Sequence, residues 1–232
     1  MPLQHGPTHN FASLLKTLLP TANLVHAPPH ARHSYLTSQI ANLSLHPALE
    51  ASLHILNADL PSAHFLVRHM SGPPAIEGMI LHSILHRTEG DFDNARAWMR
   101  DVEDACEGWV PKKKGKARLE EKIVGATRGG GTCGREGEQT LVGYVYYNSG
   151  EREDGNEREA GSSRPNSNVD VDAETGLEER IRTELQHVIE WCRDKFGDQT
   201  WVDASEAWVR PGEEVRSMGN DMVSGGKGWR MF

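Results

Sequence analysis

The sequence predicts an all-α protein with a core of helical hairpins over residues 35–106. The first of three observations behind this prediction is that apolar residues recur at helical spacing throughout 48–106. The same segment contains an internal repeat with an offset of 32 residues, which is typical of stacked helical hairpins. The third observation is an amphipathic pattern over 173–196, whose apolar face needs burial and would cap the hairpins.

Residues 1–34 are predicted to form a short helix followed by a connector. Asn10 is a good N-cap for an amphipathic helix, and Pro20 ends that helix because proline cannot continue its hydrogen-bonding pattern. The connector at 26–33 is rich in proline and histidine, so it is not expected to be regular helix. A second helix is predicted at 34–43.

The core itself is predicted to contain four helices. Asp59 and Asp91 precede the second and the fourth of them and are expected to be their N-caps. Gly90 is expected to end the third helix in a left-handed conformation. The four predicted helices span residues 48–57, 60–70, 75–89 and 92–106.

The repeat relates the first pair of these helices to the second pair. Each unit has a turn of small residues, an Asp cap and an alanine that lets the two helices approach closely. The run Gly90–Asp91–Phe92–Asp93–Asn94–Ala95 resembles the tetratricopeptide repeat, and this resemblance implies stacked hairpins. The chain departs from that family at His82 and His86, where bulky apolar side chains are usual. The aligned positions are Leu49, Leu53, Ala58, Asp59, Leu60, Ala63, Leu66 and Met70 with Leu81, Leu85, Gly90, Asp91, Phe92, Ala95, Trp98 and Val102.

Residues 107–172 are predicted to be a low-complexity, largely disordered insertion, because glycine, charged and small polar residues dominate them. Within it, Leu141–Tyr147 is rich in β-formers and is interpreted as a single strand or a docking segment. The basic run 112–118 has two interpretations, a solvated charge run and a nuclear-localisation signal. Residues 173–232 are predicted to be a C-terminal helix followed by a tryptophan-containing tail that packs on the core.

Charge and composition indicate which partners and which cellular compartment to expect. The net charge of −8 gives no reason to expect nucleic acid or an anionic membrane. No apolar run approaches the roughly 20 residues of a membrane span, and no signal-peptide pattern is present, so a cytoplasmic or nuclear protein is expected. The sequence has three cysteines, and this sparse, odd count indicates a reducing compartment and argues against disulfides.

A stripe of polar residues on the third core helix is the strongest functional signal. At 100° per residue, Gly78, His82, His86 and Glu89 share one narrow face. Histidines at i and i+4 can bind one divalent metal, with Glu89 or Asp91 orienting a ring or completing the ligand set. The alternatives are that the stripe is packing within the repeat, or that His82, His86 and Glu89 perform acid–base catalysis. A third histidine ligand would come from one of three positions, His54, His64 or His69.

The sequence from His86 to Trp98, of the form HRxEGDxxNAxxW, resembles a stretch found in uncharacterised proteins, mostly fungal and microbial. The resemblance implies a family and no activity. From the hairpins we expect a small binding protein for another protein or a peptide, in an oligomeric state that the sequence leaves open. A metal- or small-molecule-binding enzyme is the alternative, and a divalent metal is the one cofactor suggested. The residues expected to contact a partner are Arg87, Asn94, Trp208 and Trp229.

Overall fold

A computed structural model describes residues 10–113, 115–129, 133 and 171–210. The described residues form eight α-helices and no β-strand, which confirms the predicted all-α fold class. The segment Leu141–Tyr147 and Trp229 lie outside the described residues. The helices are α1 (Phe11–Leu18), α2 (Ser34–Asn42), α3 (Pro47–Leu56), α4 (Leu60–His69), α5 (Ile76–Thr88), α6 (Phe92–Glu107), α7 (Glu121–Gly129) and α8 (Val171–Phe196).

The core consists of two helix pairs, α3 with α4 and α5 with α6, and α4 also packs on α5. The bounds of these four helices agree with the predicted ones to within one residue at each end. The apolar face of α8 contributes Ile181, Leu185 and Val188 to the core, where the helix contacts α3 and α5. The C-terminal helix therefore covers the hairpins, as its amphipathic pattern predicts. None of the described helices combines the length and apolar character that a membrane span requires.

The two aspartates at the hairpin turns behave differently. Asp91 caps α6, because its carboxylate accepts a hydrogen bond from the backbone N–H of Asn94 at 3.1 Å. Asp59 occupies the N-cap position of α4, as predicted, but its side chain makes no cap hydrogen bond. The Asp59 carboxylate instead accepts from the Thr37 hydroxyl at 2.8 Å and lies 3.1 Å from Nδ1 of His54. The Asp59 carboxylate therefore contacts side chains of α2 and α3 in place of a backbone N–H of α4.

The segment after α6 is more ordered than the sequence predicts. Helix α7 lies within the range predicted to be largely disordered, and a bridge pairs Trp109 with Arg118. Cys106, at the end of α6, forms a disulfide with Cys133, contrary to the expectation that the cysteines are free thiols. The crosslink joins positions 27 residues apart, so the spacing of the cysteines gave no sign of it. Cys192 is a free cysteine, buried in the core.

His46 links the start of α3 to the C-terminal end of α8. Its Nδ1 accepts a hydrogen bond from the backbone N–H of Ala48 at 3.2 Å, and this contact requires the neutral ring. The imidazole stacks on Phe196 with 3.5 Å between ring centroids. Burial, and secondarily the positive charge of Lys195, lower the pKa of His46 from 6.5 to about 4.

We expect the free energy of unfolding to fall as the pH drops from 6.5 towards 4, in part because of His46. Within this window the unfolded chain binds a proton at His46 that the folded chain excludes, so acid favours unfolding. The contribution of one such group is at most about 1.4 kcal/mol per pH unit. Urea titrations at several pH values between 4 and 7 measure this dependence. The free energy of unfolding should fall less steeply with decreasing pH in His46→Asn, because asparagine keeps a capping side chain and does not titrate. Identical slopes in the two proteins would contradict the assignment.

The described part of the tail, residues 201–210, lies on the core. The backbone N–H of Trp201 donates to the carbonyl of Ser44 at 2.6 Å, and that of Val209 donates to the carbonyl of His69 at 2.8 Å. The rings of Trp201 and Trp208 pack beside His46 and His69, respectively. These contacts hold both tryptophans on the hairpins.

Candidate metal centre

Three histidines from neighbouring helices converge at one point. His64 extends from α4, and His82 and His86 extend from consecutive turns of α5. One ring nitrogen of each lies within 4.8 Å of those of the other two. Nε2 of His64 and Nε2 of His82 are 3.0 Å apart. Two nitrogens bound to one tetrahedral zinc ion are about 3.3 Å apart, given Zn–N bonds of about 2.0–2.1 Å. At 3.0 Å the two nitrogens share a hydrogen bond, and a separation larger by about 0.3 Å would suit two ligands of one ion.

The surroundings of the cluster favour neutral imidazoles. His82 is only 4% exposed, and burial, followed by the neighbouring His64 and His86, lowers its pKa to about 3. Burial also lowers the pKa of His64. Only a neutral imidazole has a lone pair to donate to a metal. His64 and His82 are therefore in the ligating form at neutral pH.

Glu89 gives His86 a defined orientation. Its Oε2 lies 3.0 Å from Nδ1 of His86, which leaves Nε2 of that ring for a ligand. Metal-bound histidines commonly donate their second ring N–H to a carboxylate in this manner, which fixes the tautomer and raises the basicity of the ligating nitrogen. Glu89, which the sequence places on the histidine stripe, is an outer partner of the cluster in this arrangement.

An aromatic wall closes one side of the cluster. The Trp98 ring, from α6, stacks on His82 with centroids 4.1 Å apart and an angle of 20° between the planes. The Lys112 ammonium lies 3.8 Å from the centroid of Trp98 and 2.9 Å from a carboxylate oxygen of Asp101. Trp98 thus restricts the orientation of His82, and Lys112 and Asp101 restrict Trp98.

The remaining ligands considered from the sequence lie elsewhere. The side chain of Asp91 is engaged with Asn94, through the backbone N–H and through Nδ2 at 2.6 Å. These hydrogen bonds, the backbone one first, lower the pKa of Asp91. His54 is buried beside Asp59, and Nδ1 of His69 is 2.7 Å from the carbonyl oxygen of Phe65. Of the three histidines considered as a third ligand, the structure brings His64 to the cluster.

Of the four residues expected to contact a partner, the three described ones make contacts within the chain, and Trp229 lies outside the described residues. Arg87 donates to Glu184 of α8 at 2.5 Å, and Asn94 donates to Asp91. Trp208 packs beside His69 with 4.8 Å between ring centroids. Their role toward a partner stays a prediction.

The sequence contains a signal for His64 that the repeat alignment does not use. Consecutive helices joined by a short turn run antiparallel, so residues at equal distances from the turn lie side by side. Helix α4 ends at His69 and α5 begins at Ile76. His64 is five residues before that end and His82 is six residues after that start. Counting outward from the turn would therefore have selected His64 over His54 and His69.

We expect Glu89→Ala to weaken zinc binding by roughly 10- to 100-fold, the usual cost of removing an outer partner of a metal ligand. The change removes the carboxylate that orients His86 and leaves the three imidazoles in place. Isothermal titration with Zn²⁺ measures the effect. Asp91→Asn is the matched control, because asparagine is an equally good N-cap and Asp91 is directed to Asn94. Equal losses in both variants would show that Asp91 belongs to the ligand set after all.

Comparisons with protein-family models, curated proteins and solved structures give no significant match to this chain. The resemblances to tetratricopeptide repeats and to fungal and microbial proteins therefore stay predictions.

Proposed function

We propose that this protein binds a divalent transition metal of the zinc type through His64, His82 and His86. The observation that carries the proposal is the convergence of three ring nitrogens to within 4.8 Å of one another. Of the two functions expected from the sequence, metal binding is the one that a specific set of distances supports. Imidazole nitrogen suits zinc, copper, nickel and iron, so the ligand type favours this group over magnesium or calcium.

Two further features support a metal over simple packing of the stripe. Packing alone requires only that each buried polar atom find a partner, and a single pair of histidines would achieve that. Here three imidazoles from two helices are gathered at one point. The third ring, His86, is oriented by a carboxylate in the manner of a metal ligand. An ion would offset the cost of holding these polar rings together.

The test is zinc binding by wild-type protein and by His64→Gln. His64 is half-buried, so this change should leave the fold intact, which circular dichroism would verify. We expect the chelator-treated wild-type chain to bind one Zn²⁺. His64→Gln should lose more than the roughly 10- to 100-fold that an outer partner costs. His69→Gln is the matched control, since His69 is also half-buried on α4 and lies outside the cluster.

The effect of Zn²⁺ on the melting temperature is a second test of metal binding. A ligand that binds only the folded state stabilises it by about 4.1 kcal/mol at a concentration 1,000 times its Kd. Zn²⁺ should therefore raise the melting temperature of the wild type and of His69→Gln but not of His64→Gln. Absence of stoichiometric zinc, or equal binding by all three proteins, would overturn the proposal and leave the stripe as packing.

A further inference from the structure

A groove beside the histidine cluster indicates how a bound metal would be used. Its volume is about 660 Å³, within the usual range of roughly 300–1,000 Å³ for small-molecule sites. The 26–29 connector forms one wall, and the start of α4 and the end of α5 form the others. The groove reaches the cluster at His64 and at Glu89, on a different side from the Trp98 wall.

The cluster supplies three ligands, whereas zinc in proteins is usually four-coordinate. The set of converging donors among the described residues consists of the three histidines alone. Structural zinc sites generally have four protein ligands, and sites that act on small molecules keep one position for water or substrate. A metal held here would therefore keep one exchangeable position. Of the three ligands, His64 is the one that lines the groove.

The lining of the groove restricts the chemistry of its occupant. About half of the lining surface is apolar, and its side chains include Val25, Ala27, Pro28, Leu60 and Pro61. The described lining residues include no Lys or Arg. Their ionisable side chains are one carboxylate, Glu89, and two imidazoles, His26 and His64. A divalent ion on three neutral imidazoles beside one carboxylate leaves a local charge of about +1. A singly charged anion would balance this charge, whereas a phosphate dianion would lack the additional cations that it normally requires.

Resting on the metal site proposed above, we propose that the metal presents an open coordination position to this groove and binds a monocarboxylate with a small apolar body. The carboxylate takes the fourth position on the ion, and the apolar body contacts Leu60, Pro61 and the connector.

The test uses the full chain loaded with Co²⁺, whose visible absorption bands respond to any change of its ligands. Addition of phenylacetate should change the spectrum at millimolar concentration, and inorganic phosphate should not do so at equal concentration. In Leu60→Ala the metal spectrum should persist, and the preference for phenylacetate over acetate should fall several-fold. Leu60 is half-buried in the first turn of α4, so this change is mild.

The outcomes separate the two proposals. If Co²⁺ gives no tetrahedral spectrum and is not retained, the metal site itself fails. If Co²⁺ binds stoichiometrically but phenylacetate leaves its spectrum unchanged, the site exists and the open position is wrong. If phosphate binds as tightly as phenylacetate, the assignment of a monoanion with an apolar body is overturned. Equal preference for phenylacetate over acetate in wild type and Leu60→Ala would exclude the groove as the place where the apolar body lies.

Discussion

Gly78→Ala is expected to destabilise the fold by at least about 3 kcal/mol, the upper part of the range for overpacked cores. A Cβ atom at Gly78 would lie 2.2 Å from Cβ of Met70 and 2.7 Å from its carbonyl oxygen. Non-bonded carbon atoms normally stay about 3.5–4.0 Å apart. The carbonyl group of Met70 belongs to the backbone and cannot rotate away as a side chain could. The start of α5 would therefore have to move away from the end of α4. Urea denaturation followed by circular dichroism measures the loss.

The same displacement should also weaken metal binding. His64 lies on α4, and His82 is one turn after Gly78 on α5, so separating the two helices separates the ligands. Gly176→Ala is the matched control: it is also a helical glycine, and an added Cβ there meets no atom within 4 Å. Alanine favours a helix over glycine by about 1 kcal/mol, so the control should be neutral or slightly stabilising. A stable Gly78→Ala protein with wild-type zinc affinity would contradict the close approach of α4 and α5.

The helices were predictable because the signals that start and end them are local. Asn10 and Asp91 cap helices through residues three positions away, and Gly90 adopts its positive φ of 80° at the predicted end of α5. His82 and His86 were likewise found from periodicity within one helix. Both are buried, with 4% and 8% exposure.

The features that the pattern of a single helix could not predict depend on contacts between different parts of the chain. For His64, the count from the α4–α5 turn is the sequence signal that was available. His64 joins the cluster through the packing of α4 on α5, and Asp59 is diverted from its cap by Thr37, which is 22 residues away. The close approach at Gly78 and the disulfide between Cys106 and Cys133 belong to the same class. Periodicity along a single helix carries no information on such pairs, because it depends only on the faces of that helix.

Another contact between distant parts of the chain, the one between Glu77 of α5 and Lys195 of α8, leads to the second large effect. Glu77 is 3% exposed on α5, and its Oε1 lies 2.6 Å from the Lys195 ammonium in the last turn of α8. Removing one partner of a buried ion pair costs roughly 3–5 kcal/mol, because the other charge stays in a poorly solvated site. Lys195 is 28% exposed, so we expect Lys195→Met to cost about 2–3 kcal/mol after solvent screening. Methionine retains most of the apolar part of the lysine side chain, so the loss of stability would come mainly from the missing charge.

Two comparisons separate this charge effect from a general weakening of α8. Arg193→Met removes an exposed cation on the same helix, 3.9 Å from Asp194, and should change stability by less than about 0.5 kcal/mol. The double variant Glu77→Gln/Lys195→Met removes both charges and keeps an amide oxygen for the indole N–H of Trp191, which lies 3.4 Å from Oε1 of Glu77. It should be more stable than Lys195→Met alone, because no uncompensated charge is left in the core. If adding Glu77→Gln instead lowers the stability further, the cost of Lys195→Met is lost packing, and α8 is held on the hairpins by its apolar face alone.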